Sequence, residues 1–309
     1  MDGNESWMER LPVHLKGIPL CNLAIPGSHE STTNALNVKM PIACDMPRWL
    51  HFAGCPGVKR IIRRWSQCQS LSLHQQLCSG VRYIDLRVGC YSRKHNVFAV
   101  HGLYGPSVTD VVEQVLAFLA QNPYELVILD FNHFYAFNRR KHLHLIGLLL
   151  EKFNSKLVPS PPGVDVRQFS LDQAHAHRYQ VILFYQECKY NIEHPLIWTS
   201  KHIRSPWANT NNVQQLVPYL EKALRQKDST LPEGGFFVTQ GILTPTLRDI
   251  VCNWRGSLKN HMALQASRET ISWLKSSQQT VQSLLNIVIV DFVEFIEFCD
   301  TIIKFNMNK

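Results

Sequence analysis

Ionisable residues stand at the ends of short apolar runs in this sequence. The run "LAIPGSHEST" breaks at Pro26-Gly27 and continues with Ser28, His29 and Glu30. An imidazole with a pKa near ~6.5 can take or give a proton at neutral pH, so a histidine at a strand end is a candidate acid or base. Ser28 and the polar residues after it would equally suit a turn or a helix N-terminus. This run alone leaves both interpretations open.

Six further apolar runs carry a hydrogen-bonding or ionisable side chain towards their C-terminal ends. The runs are "VRYIDLRV", "NVFAVHG", "LVILDFNHF", "QVILFYQE", "GGFFVTQG" and "NIVIVDF". With the first run, the side chains in chain order are His29, Arg87, His101, Asn132, Glu187, Gln240 and Asp291. In a parallel barrel such ends open on one face, where active sites form. Polar residues gather wherever strands meet loops, but that tendency does not explain two histidines, an arginine and an aspartate at these ends.

This set of side chains suits phosphodiester cleavage. Two histidines that face each other across a phosphate can act as base and acid, and a guanidinium between them can neutralise phosphoryl charge without a metal. A carboxylate behind one histidine would fix its tautomer. In "YIDLRV", Asp85 and Arg87 project to the same side of a strand, because alternate residues share a face.

The apolar runs are predicted to be strands of a largely parallel sheet. Segments long enough for helices separate most of them, such as "GPSVTDVVEQVLAFLAQNP", which begins with cap-like residues and ends before Pro123. Apolar runs that alternate with helices are typical of a parallel sheet covered on its outside. The Pro-rich stretch "LVPSPPGVDV" at 157–166 is the best candidate boundary, but strand-like runs resume after it, so one domain is predicted.

Composition limits the partners and the location. A net charge of +8 and a pI of about 9.0 favour an anionic partner, whether phospholipid surface, phosphorylated substrate or nucleic acid. The start "MDGNESWMERLPVHLKG" has no apolar core of signal-peptide length, and acidic residues interrupt the apolar stretch "LLNIVIVDFVEFIEFCDTIIKF". A soluble cytoplasmic protein that at most visits a membrane is expected, with a nuclear location left open.

The cysteines and paired histidines do not indicate a metal site. The nine cysteines include no Cys-x-x-Cys pair, which favours reduced thiols in the cytosol or nucleus. The pairs His142/His144 and His175/His177 could be ligands on strands. However, "RRKHLHLIGLLLEKF" has helical periodicity, and residues two apart do not share a helix face.

Five ordered motifs are shared with a known family. The stretches "LAIPGSHES", "VRYIDLRV", "VHGLYG", "VILDFNHFY" and "NIVIVDFVE", in this order and spacing, resemble phosphatidylinositol-specific phospholipase C (PI-PLC). They are most similar to the small stand-alone X-domain-containing proteins of animals. The similarity extends from about Leu11 to Lys304 and includes "VILFYQE", "SPWANT" and "FFVTQGILTP". The resemblance implies an α/β fold, a distorted, incompletely closed (β/α)8 TIM-type barrel, which here forms a single catalytic domain over residues 1–309.

The resemblance also implies roles for five residues. His29 would be the general base that takes the proton from the inositol 2-hydroxyl, and His101 the general acid that protonates the diacylglycerol oxygen. Arg87 would bind the phosphate and stabilise its developing charge. Asp291 would orient His29, with Asp85 in the same hydrogen-bonded cluster. The implied products are diacylglycerol and a cyclic inositol phosphate.

Two positions bear on cofactors and on activity. Calcium-dependent multidomain relatives carry an acid where Arg87 stands and another near Asn132, and both serve as metal ligands. A fixed cation at 87 would repel Ca²⁺ and do part of its work, so no cofactor is expected and Ca²⁺ is not expected to be required. The family commonly has Asp after the histidine, whereas this chain has Glu30. Glu30 is a candidate catalytic residue that would support the acid His101. Its longer side chain either weakens catalysis or is accommodated by a small backbone shift.

Four polar residues are candidates for binding inositol hydroxyls. They are Asn132, Tyr185, Glu187 and Gln240. A tyrosine in the core or a polar cap at a strand end would look the same in the sequence. Trp207, in "SPWANT", could be either a loop anchor or a wall of the headgroup site.

The stretch "MPRWLHFAGCPGVKRIIRRW" mixes basic and aromatic residues. These are Lys59, Arg60, Arg63 and Arg64 beside Trp49, Phe52 and Trp65. On the strand-end rim they would suit peripheral docking onto an anionic membrane surface. Alternatively, Trp65 and Ile61 pack on the barrel while the arginines are solvated.

The leading hypothesis is an enzyme, a phosphodiesterase that acts on a phosphoinositide lipid. The alternative is a catalytically weak or inactive scaffold that binds inositol lipids, for which Glu30 is the best support. A nucleic-acid partner is disfavoured, because no recognised binding motif accompanies the positive charge. A glycerophosphodiester hydrolase would need acidic metal ligands that the position of Arg87 lacks.

Overall fold

Short, buried strands form the central sheet. The computed structural model describes residues 3–52, 54–91, 96–187, 189–190, 192–231 and 234–308. Its strands are β1 (Ile25–Ser28), β2 (Tyr83–Tyr91), β3 (Asn96–His101), β4 (Leu103–Ser107), β5 (Val127–Tyr135), β6 (Val181–Tyr185), β7 (Ile203–Arg204), β8 (Phe236–Gln240) and β9 (Ile287–Val290). Each of the seven apolar runs overlaps one of these strands, as predicted. The sequence patterns did not predict β4 or β7.

The strands form an open barrel. Parallel pairing gives the order β6-β5-β2-β1-β9-β8-β7, and among the described residues no ladder joins β6 to β7. Phe184 of β6 instead forms an isolated bridge with Trp198. The predicted distorted, incompletely closed barrel is confirmed.

Helices follow most of the strands. They are α1 (Val13–Lys16), α2 (Arg48–Phe52), α3 (Pro56–Ser66), α4 (Leu73–Cys78), α5 (Val108–Gln121), α6 (Arg139–Phe153), α7 (Leu171–His177), α8 (Val213–Arg225), α9 (Lys227–Thr230), α10 (Leu247–Cys252), α11 (Leu264–Ser276), α12 (Gln278–Val281) and α13 (Phe298–Lys304). A π-helical turn, Lys259–Ala263, precedes α11. Single 3-10 turns lie at Asn4–Ser6, Leu20–Asn22, Thr33–Ala35, Asn154–Lys156, Ser200–His202 and Phe305–Asn308.

Helix α5 begins and ends where its sequence indicates. The Ser107 hydroxyl accepts from the backbone N–H of Asp110 at 3.1 Å, and the Asp110 carboxylate accepts from the N–H of Ser107 at 3.2 Å. This reciprocal capping satisfies donors that the first turn leaves without partners. The helix ends at Gln121, before Pro123. The two His-x-His pairs lie on helices, on α6 and α7, so the prediction that they are not on strands is confirmed.

The register of β1 and β9 places two of the predicted site residues, His29 and Asp291, side by side. All four residues of β9 are buried, and fully burying a Val or Ile side chain contributes about 1.5–3 kcal/mol. Strand β1 pairs in parallel with β9 along its length, from Ile25 opposite Ile287 to Ser28 opposite Val290. The residues that come next, His29 and Asp291, therefore leave the sheet together.

Strand β3 departs from the predicted parallel arrangement. It runs antiparallel to β2, with Ala99 opposite Val88. Because β2 is nine residues long, β1 pairs with its first part and β3 with its last part on the same edge, while β5 occupies the other edge. The C-terminal end of β3 thus points towards the C-terminal end of β1. His101 reaches the site from this returning strand, not from a strand parallel to β1.

Candidate active site

Asp291 and Gln69 fix the position of His29. The Nδ1–H of His29 donates to Oδ1 of Asp291 at 2.8 Å, which leaves Nε2 facing the site. The buried Gln69 amide donates to the carbonyl oxygens of His29 at 2.9 Å and Val290 at 3.0 Å, so it ties the two strand ends together. Glu30 turns the chain away from the sheet with a φ of 44°. His29 is therefore held through both its backbone and its ring.

His101 is held by the last residue of α3. Its Nδ1–H donates to the carbonyl oxygen of Ser66 at 2.7 Å, so Nε2 faces the cavity. Gly102, with a φ of 70°, makes the turn into β4, and a Cβ at this position would lie 2.6 Å from the Ser66 hydroxyl. Glycine therefore allows both the turn and the close approach of α3. The rings of His29 and His101 lie 6.4 Å apart between centroids.

Arg87 lies beside His29 at the centre of the site. Its Nη2 is 3.4 Å from Nε2 of His29. Asp85, two residues earlier on β2, has Oδ2 at 4.0 Å from the same Nε2 and accepts a hydrogen bond from the backbone N–H of Glu30 at 3.0 Å. The expectation that Asp85 and Arg87 share a face agrees with this geometry.

An irregularity in β5 turns two adjacent residues towards Arg87. Leu86 lies opposite Phe131, but Arg87 lies opposite His133, so Asn132 is an extra residue in the ladder. This bulge allows Asn132 and His133 both to line the same cavity. The Asn132 amide donates to Oδ1 of Asp85.

Glu30 contacts Arg87 more closely than it contacts His101. Its Oε1 is 2.6 Å from Nε of Arg87, although the N–H is not aligned for a hydrogen bond, and 3.9 Å from Nε2 of His101. The carboxyl group is almost fully buried. The contact is therefore an ion pair that occupies one side of the guanidinium.

The electrostatic environment separates the two histidines. Burial opposes charge on His29, but the charge and hydrogen bond of Asp291, with the charge of Asp85, outweigh it and raise the pKa of His29. Burial, followed by the charges of Arg87 and His29, lowers the pKa of His101 to about 4. At neutral pH and without a ligand, His29 is therefore the better proton acceptor of the two.

The carboxyl groups of Glu30 and Asp85 also differ in the direction of their pKa shifts. Burial raises the pKa of Glu30 to about 7, although Arg87 opposes this shift. Burial acts in the same direction on Asp85, but the charges of Arg87 and His29 and two hydrogen bonds lower its pKa overall. Asp85 is thus ionised at neutral pH, whereas Glu30 is close to the midpoint of its titration.

Two cavities meet at Arg87. A polar cavity of about 360 Å³ is lined by Tyr83, Asp85, Arg87, Asp130, Asn132, His133, Gln186, Ser200, Ile203, Arg204, Ser205, Trp207, Gln240 and Ile289. A largely apolar cavity of about 640 Å³ contains His29, Cys68, His101 and Asp291 as well as Arg87. Trp207 also lines both cavities. The site thus joins a polar and an apolar compartment through one cation.

The four candidate headgroup residues separate into two pairs. Asn132 and Gln240 line the polar cavity, and the Gln240 amide donates to the Ser205 carbonyl oxygen at 2.9 Å. Tyr185 does not line it, because register places Phe184 beside Asp130 on the inner face and Tyr185 on the outer face. The Tyr185 hydroxyl hydrogen-bonds with Nδ1 of His142 on α6 at 2.7 Å.

Glu187 also lies away from both cavities. Its carboxylate accepts hydrogen bonds from the backbone N–H groups of Lys189 and Tyr190, so it closes a local turn after β6. The expectation that Glu187, at the end of its strand, faces the pocket therefore does not hold. The polar cavity is instead reached by the preceding residue, Gln186, whose amide donates to both oxygens of Asp130 at 2.7 and 2.9 Å.

Sequence reasoning missed several residues of the site, and four of them make informative contacts. They are Cys68, Gln69, Asp130 and Gln186. Asp130 and Gln186 each had a usable signal, since both interrupt or end an apolar strand and Asp130 lies in register with Asp85. Cys68 and Gln69 follow α3 in an irregular segment, where no periodicity indicates which way a side chain points.

One group of potential metal ligands lies at the site. His29, Cys68 and Asp291 are buried and present ligand atoms within 4.8 Å of one another. The mixed N, S and O donor set differs from the all-oxygen shell that Ca²⁺ takes. Arg87 also lies 3.4 Å from His29, and its charge disfavours a divalent cation there.

The basic and aromatic stretch has both packed and exposed members. Trp65 is buried, and Arg64 donates to the backbone carbonyl oxygens of Trp254 at 2.6 Å and Gly256 at 3.0 Å. Trp49 and Phe52 are 61% and 92% exposed. Neither alternative from the sequence is complete, because Arg64 is hydrogen-bonded whereas Trp49 and Phe52 are mostly exposed. Among the described residues, none of the helices combines the length and apolar character needed to cross a membrane.

Curated relatives match almost the whole chain. The chain is 37% identical over 306 residues to PI-PLC X domain-containing protein 2 of Mus musculus, which covers 98% of this chain and 88% of the relative. It is 32% identical to PI-PLC X domain-containing protein 3 of Bos taurus, over 97% and 92%, and 30% identical to protein 1 of Danio rerio, over 94% and 93%. A search of family models found no match.

Solved structures show the same fold. The phosphatidylinositol-specific phospholipase C of Listeria monocytogenes superposes with a TM-score of 0.71 at 18% identity and 98% coverage of both chains. A point mutant of the phosphatidylinositol-specific phospholipase C of Staphylococcus aureus superposes with a TM-score of 0.68 at 14% identity, over 98% of this chain and 97% of that one. At these identities the likeness establishes the barrel fold alone.

Proposed function

The chain belongs to the family of PI-PLC X domain-containing proteins, and from this membership we propose that it is a phosphodiesterase of the phospholipase C type. Its substrate is a phosphatidylinositol-type lipid, and its products are diacylglycerol and a cyclic inositol phosphate. One observation supports this more than any other. His29, oriented by Asp291, faces His101 across a gap that Arg87 borders.

His29 is proposed to act as the general base. Its Nδ1–H donates to Asp291, so the lone pair of Nε2 points to the site and can accept a proton from the inositol 2-hydroxyl. The oxygen of that hydroxyl then attacks phosphorus. Asp291 and Asp85 stabilise the imidazolium that forms, which agrees with the raised pKa of His29.

His101 is proposed to act as the general acid. Because Nδ1 already donates to Ser66, the proton for the leaving glycerol oxygen must be carried on Nε2. The pKa of about 4 means that this proton is absent from the free protein at neutral pH. A phosphodiester beside Arg87 brings a negative charge that raises the pKa of His101, so substrate binding favours the acid form.

Arg87 is proposed to carry the phosphate. A guanidinium can donate two hydrogen bonds to phosphoryl oxygens and neutralise the charge that develops on them, so the proposed reaction needs no metal. Arg87 borders both cavities, which would place the inositol in the polar cavity and the glycerol side in the apolar one. Asn132 and Gln240 are then in position to bind ring hydroxyls.

Peripheral contact with an anionic membrane is part of the proposal. The exposed aromatics Trp49 and Phe52 lie on α2 with the exposed cation Arg48, and the next helix, α3, carries the exposed cations Arg60 and Arg63. Such a surface gains from both apolar insertion and attraction to anionic lipid. Phe52→Ser should lower sedimentation with phosphatidylserine vesicles, whereas Val13→Ser, at an exposed site on α1, should not. Equal binding of both variants would contradict this placement.

The decisive experiment measures release of diacylglycerol and cyclic inositol phosphate from phosphatidylinositol vesicles with EGTA present. Wild type is compared with His29→Ala and Arg87→Ala. The matched controls are His14→Ala and Arg139→Ala, which change exposed residues of the same types. We expect turnover that survives EGTA, persists in both controls and disappears in both site variants.

A negative result has a defined meaning. If folded wild type binds vesicles that contain phosphatidylinositol but releases no product, the catalytic proposal fails. The alternative, an inositol-lipid-binding scaffold, is favoured by the ion pair that Glu30 forms with Arg87, because it occupies the guanidinium that a phosphate would use. Loss of turnover in EGTA would instead overturn the metal-independent mechanism alone.

A further inference from the structure

We propose that the apolar cavity is a binding site for one fatty acyl chain, so that the protein encloses the tail of a single phosphoinositide molecule during reaction. The inference rests on the proposed function, because it assigns the tail of the same substrate. The cavity measures about 640 Å³, within the range of about 300–1,000 Å³ of ligand pockets. Nothing in the mechanism above requires a cavity of this size on the leaving-group side.

The position of the cavity identifies the part of the lipid that it would hold. Its polar floor is formed by His29, Arg87, His101 and Asp291. His101 is the proposed donor to the glycerol oxygen, so the chain that leads away from that oxygen begins at this floor. A phosphodiester held by Arg87 therefore directs its inositol into the polar cavity and its glycerol into the apolar one.

The walls are apolar over two long segments. One wall comes from α2, α3 and the residues before them, and consists of Met46, Pro47, Trp49, Leu50, Val58, Ile61, Ile62 and Trp65. The facing wall comes from residues 242–258 and includes Ile242, Leu243, Pro245, Leu247, Ile250, Val251 and Leu258. These walls offer an acyl chain few polar groups, so a headgroup or peptide would be a poor occupant.

The residues that line the apolar cavity become more exposed from its inner end to its mouth. Trp65 and Leu258 are 4% and 3% exposed, whereas Leu247 and Val251, at the mouth, are 66% and 61% exposed. A chain that enters at the mouth would therefore lose contact with water along its length. Each methylene buried in this way should strengthen binding by about fourfold.

A binding experiment that needs no turnover tests the site directly. The probe is lysophosphatidylinositol with a brominated acyl chain, kept below its critical micelle concentration, and the readout is quenching of tryptophan fluorescence. We expect quenching, and a loss of part of it in Trp65→Phe. The matched control is Trp273→Phe. Trp273 is similarly buried, does not line the cavity and, like Trp65, has an indole N–H without a hydrogen-bond partner among the described residues.

A second variant narrows the cavity while leaving the proposed catalytic residues in place. Val58 is half-buried on α3 and lines the cavity, whereas Val13 is 81% exposed on α1. Val58→Trp should weaken binding of the brominated lipid at least tenfold and Val13→Trp should leave it unchanged. Glycerophosphoinositol, which has no chain, should bind wild type more weakly than lysophosphatidylinositol does. Thermal unfolding confirms that both variants fold.

The outcomes separate this inference from the proposed function. Quenching equal in Trp65→Phe and wild type, or the same affinity for glycerophosphoinositol and lysophosphatidylinositol, would overturn the acyl-chain site even if the lipid is cleaved. Quenching that depends on Trp65 and falls in Val58→Trp would support the site even if wild type cleaves neither substrate, and only the catalytic proposal would then fail.

Discussion

The two histidines of the site are held by contrasting means. His29 follows a strand whose neighbour in the parallel sheet supplies Asp291, so a carboxylate stands behind its ring. His101 ends an antiparallel strand, and its Nδ1 lies 2.7 Å from the Ser66 carbonyl oxygen and 3.8 Å from the Cys68 sulfur. The first environment raises the pKa of the imidazole, and the second lets burial and the charges of Arg87 and His29 lower it to about 4.

On the proposed mechanism, this difference would let one sheet provide both a base and an acid. A carboxylate behind a ring stabilises its charged form, which suits a group that ends the proton transfer with a positive charge. A carbonyl oxygen orients the ring with much less stabilisation of the charge. On the same proposal, His101 would depend on the substrate for its proton and would be charged mainly when a phosphodiester is present.

The largest expected effect is the loss of activity in the two histidine variants. A substrate with a different leaving group separates the proposed base from the proposed acid. His29→Ala should reduce cleavage of phosphatidylinositol by up to about 10⁴-fold and His101→Ala by about 10²–10⁴-fold, the range for general acid–base catalysis. An inositol phosphate ester with p-nitrophenol as leaving group needs no protonation. On this substrate His101→Ala should be within about tenfold of wild type, whereas His29→Ala should stay impaired.

The assignment of base and acid would be reversed if the substrate with the p-nitrophenol leaving group restored activity to His29→Ala instead of His101→Ala. If both variants lost the same factor on both substrates, the assignment of separate base and acid roles would be wrong, since each residue would then serve a shared structural purpose. His14→Ala, at an exposed histidine, controls for the substitution itself.

The next effect concerns the carboxylate behind His29. Asp291→Asn removes the charge that raises the pKa of His29 and, if the amide N–H₂ faces the ring, favours the tautomer with its proton on Nε2. We expect kcat/KM to fall by roughly 10²–10³-fold, within the range for general-base catalysis. Histidine ring NMR should show a lower pKa for His29. An unchanged pKa would mean that Asp291 does not set the difference between the two histidines.

The sequence predicted the His29 half of the site better than the His101 half. The motif ends placed His29 and Asp291 at strand ends, and parallel pairing of β1 with β9 then makes them neighbours. Nothing in "NVFAVHG" indicates an antiparallel strand, because that depends on β2 extending to nine residues and pairing with β3 along its last part. His101 does lie beside the other site residues, but the expectation of a parallel strand that led to it is wrong.

The sequence also could not predict which way individual side chains point. A strand of five buried apolar residues shows no alternation, so "VILFY" does not reveal whether Phe184 or Tyr185 faces inward. The answer comes from the register with Asp130 on β5. The apolar cavity was likewise not predictable, because its two walls come from distant parts of the chain.

A smaller effect involves Glu30, which lies between the two halves. Its carboxyl group is neutral below and anionic above its pKa of about 7, and the anion repels a phosphate at Arg87. The KM for phosphatidylinositol should therefore rise severalfold as pH increases through 7. In Glu30→Gln the KM should be lower at pH 8 and should not change across this interval. A KM that still rises in the variant would assign the titration to another group.

The smallest effect is on stability, and its sign should differ between the histidines. The raised pKa of His29 contributes stability that is complete below the unfolded-state pKa and is lost as pH rises through the folded-state value. The pKa of about 4 for His101 has the opposite consequence, since stability is lost as pH falls from about 6.5 towards 4. Relative to wild type, His29→Gln should thus gain stability as pH rises above 6.5, and His101→Gln should gain stability as pH falls below it, the latter by about 1–2 kcal/mol between pH 6.5 and 5. Urea unfolding at pH 5, 6.5 and 8 measures both slopes. Slopes of the same sign would show that the two rings share one electrostatic environment.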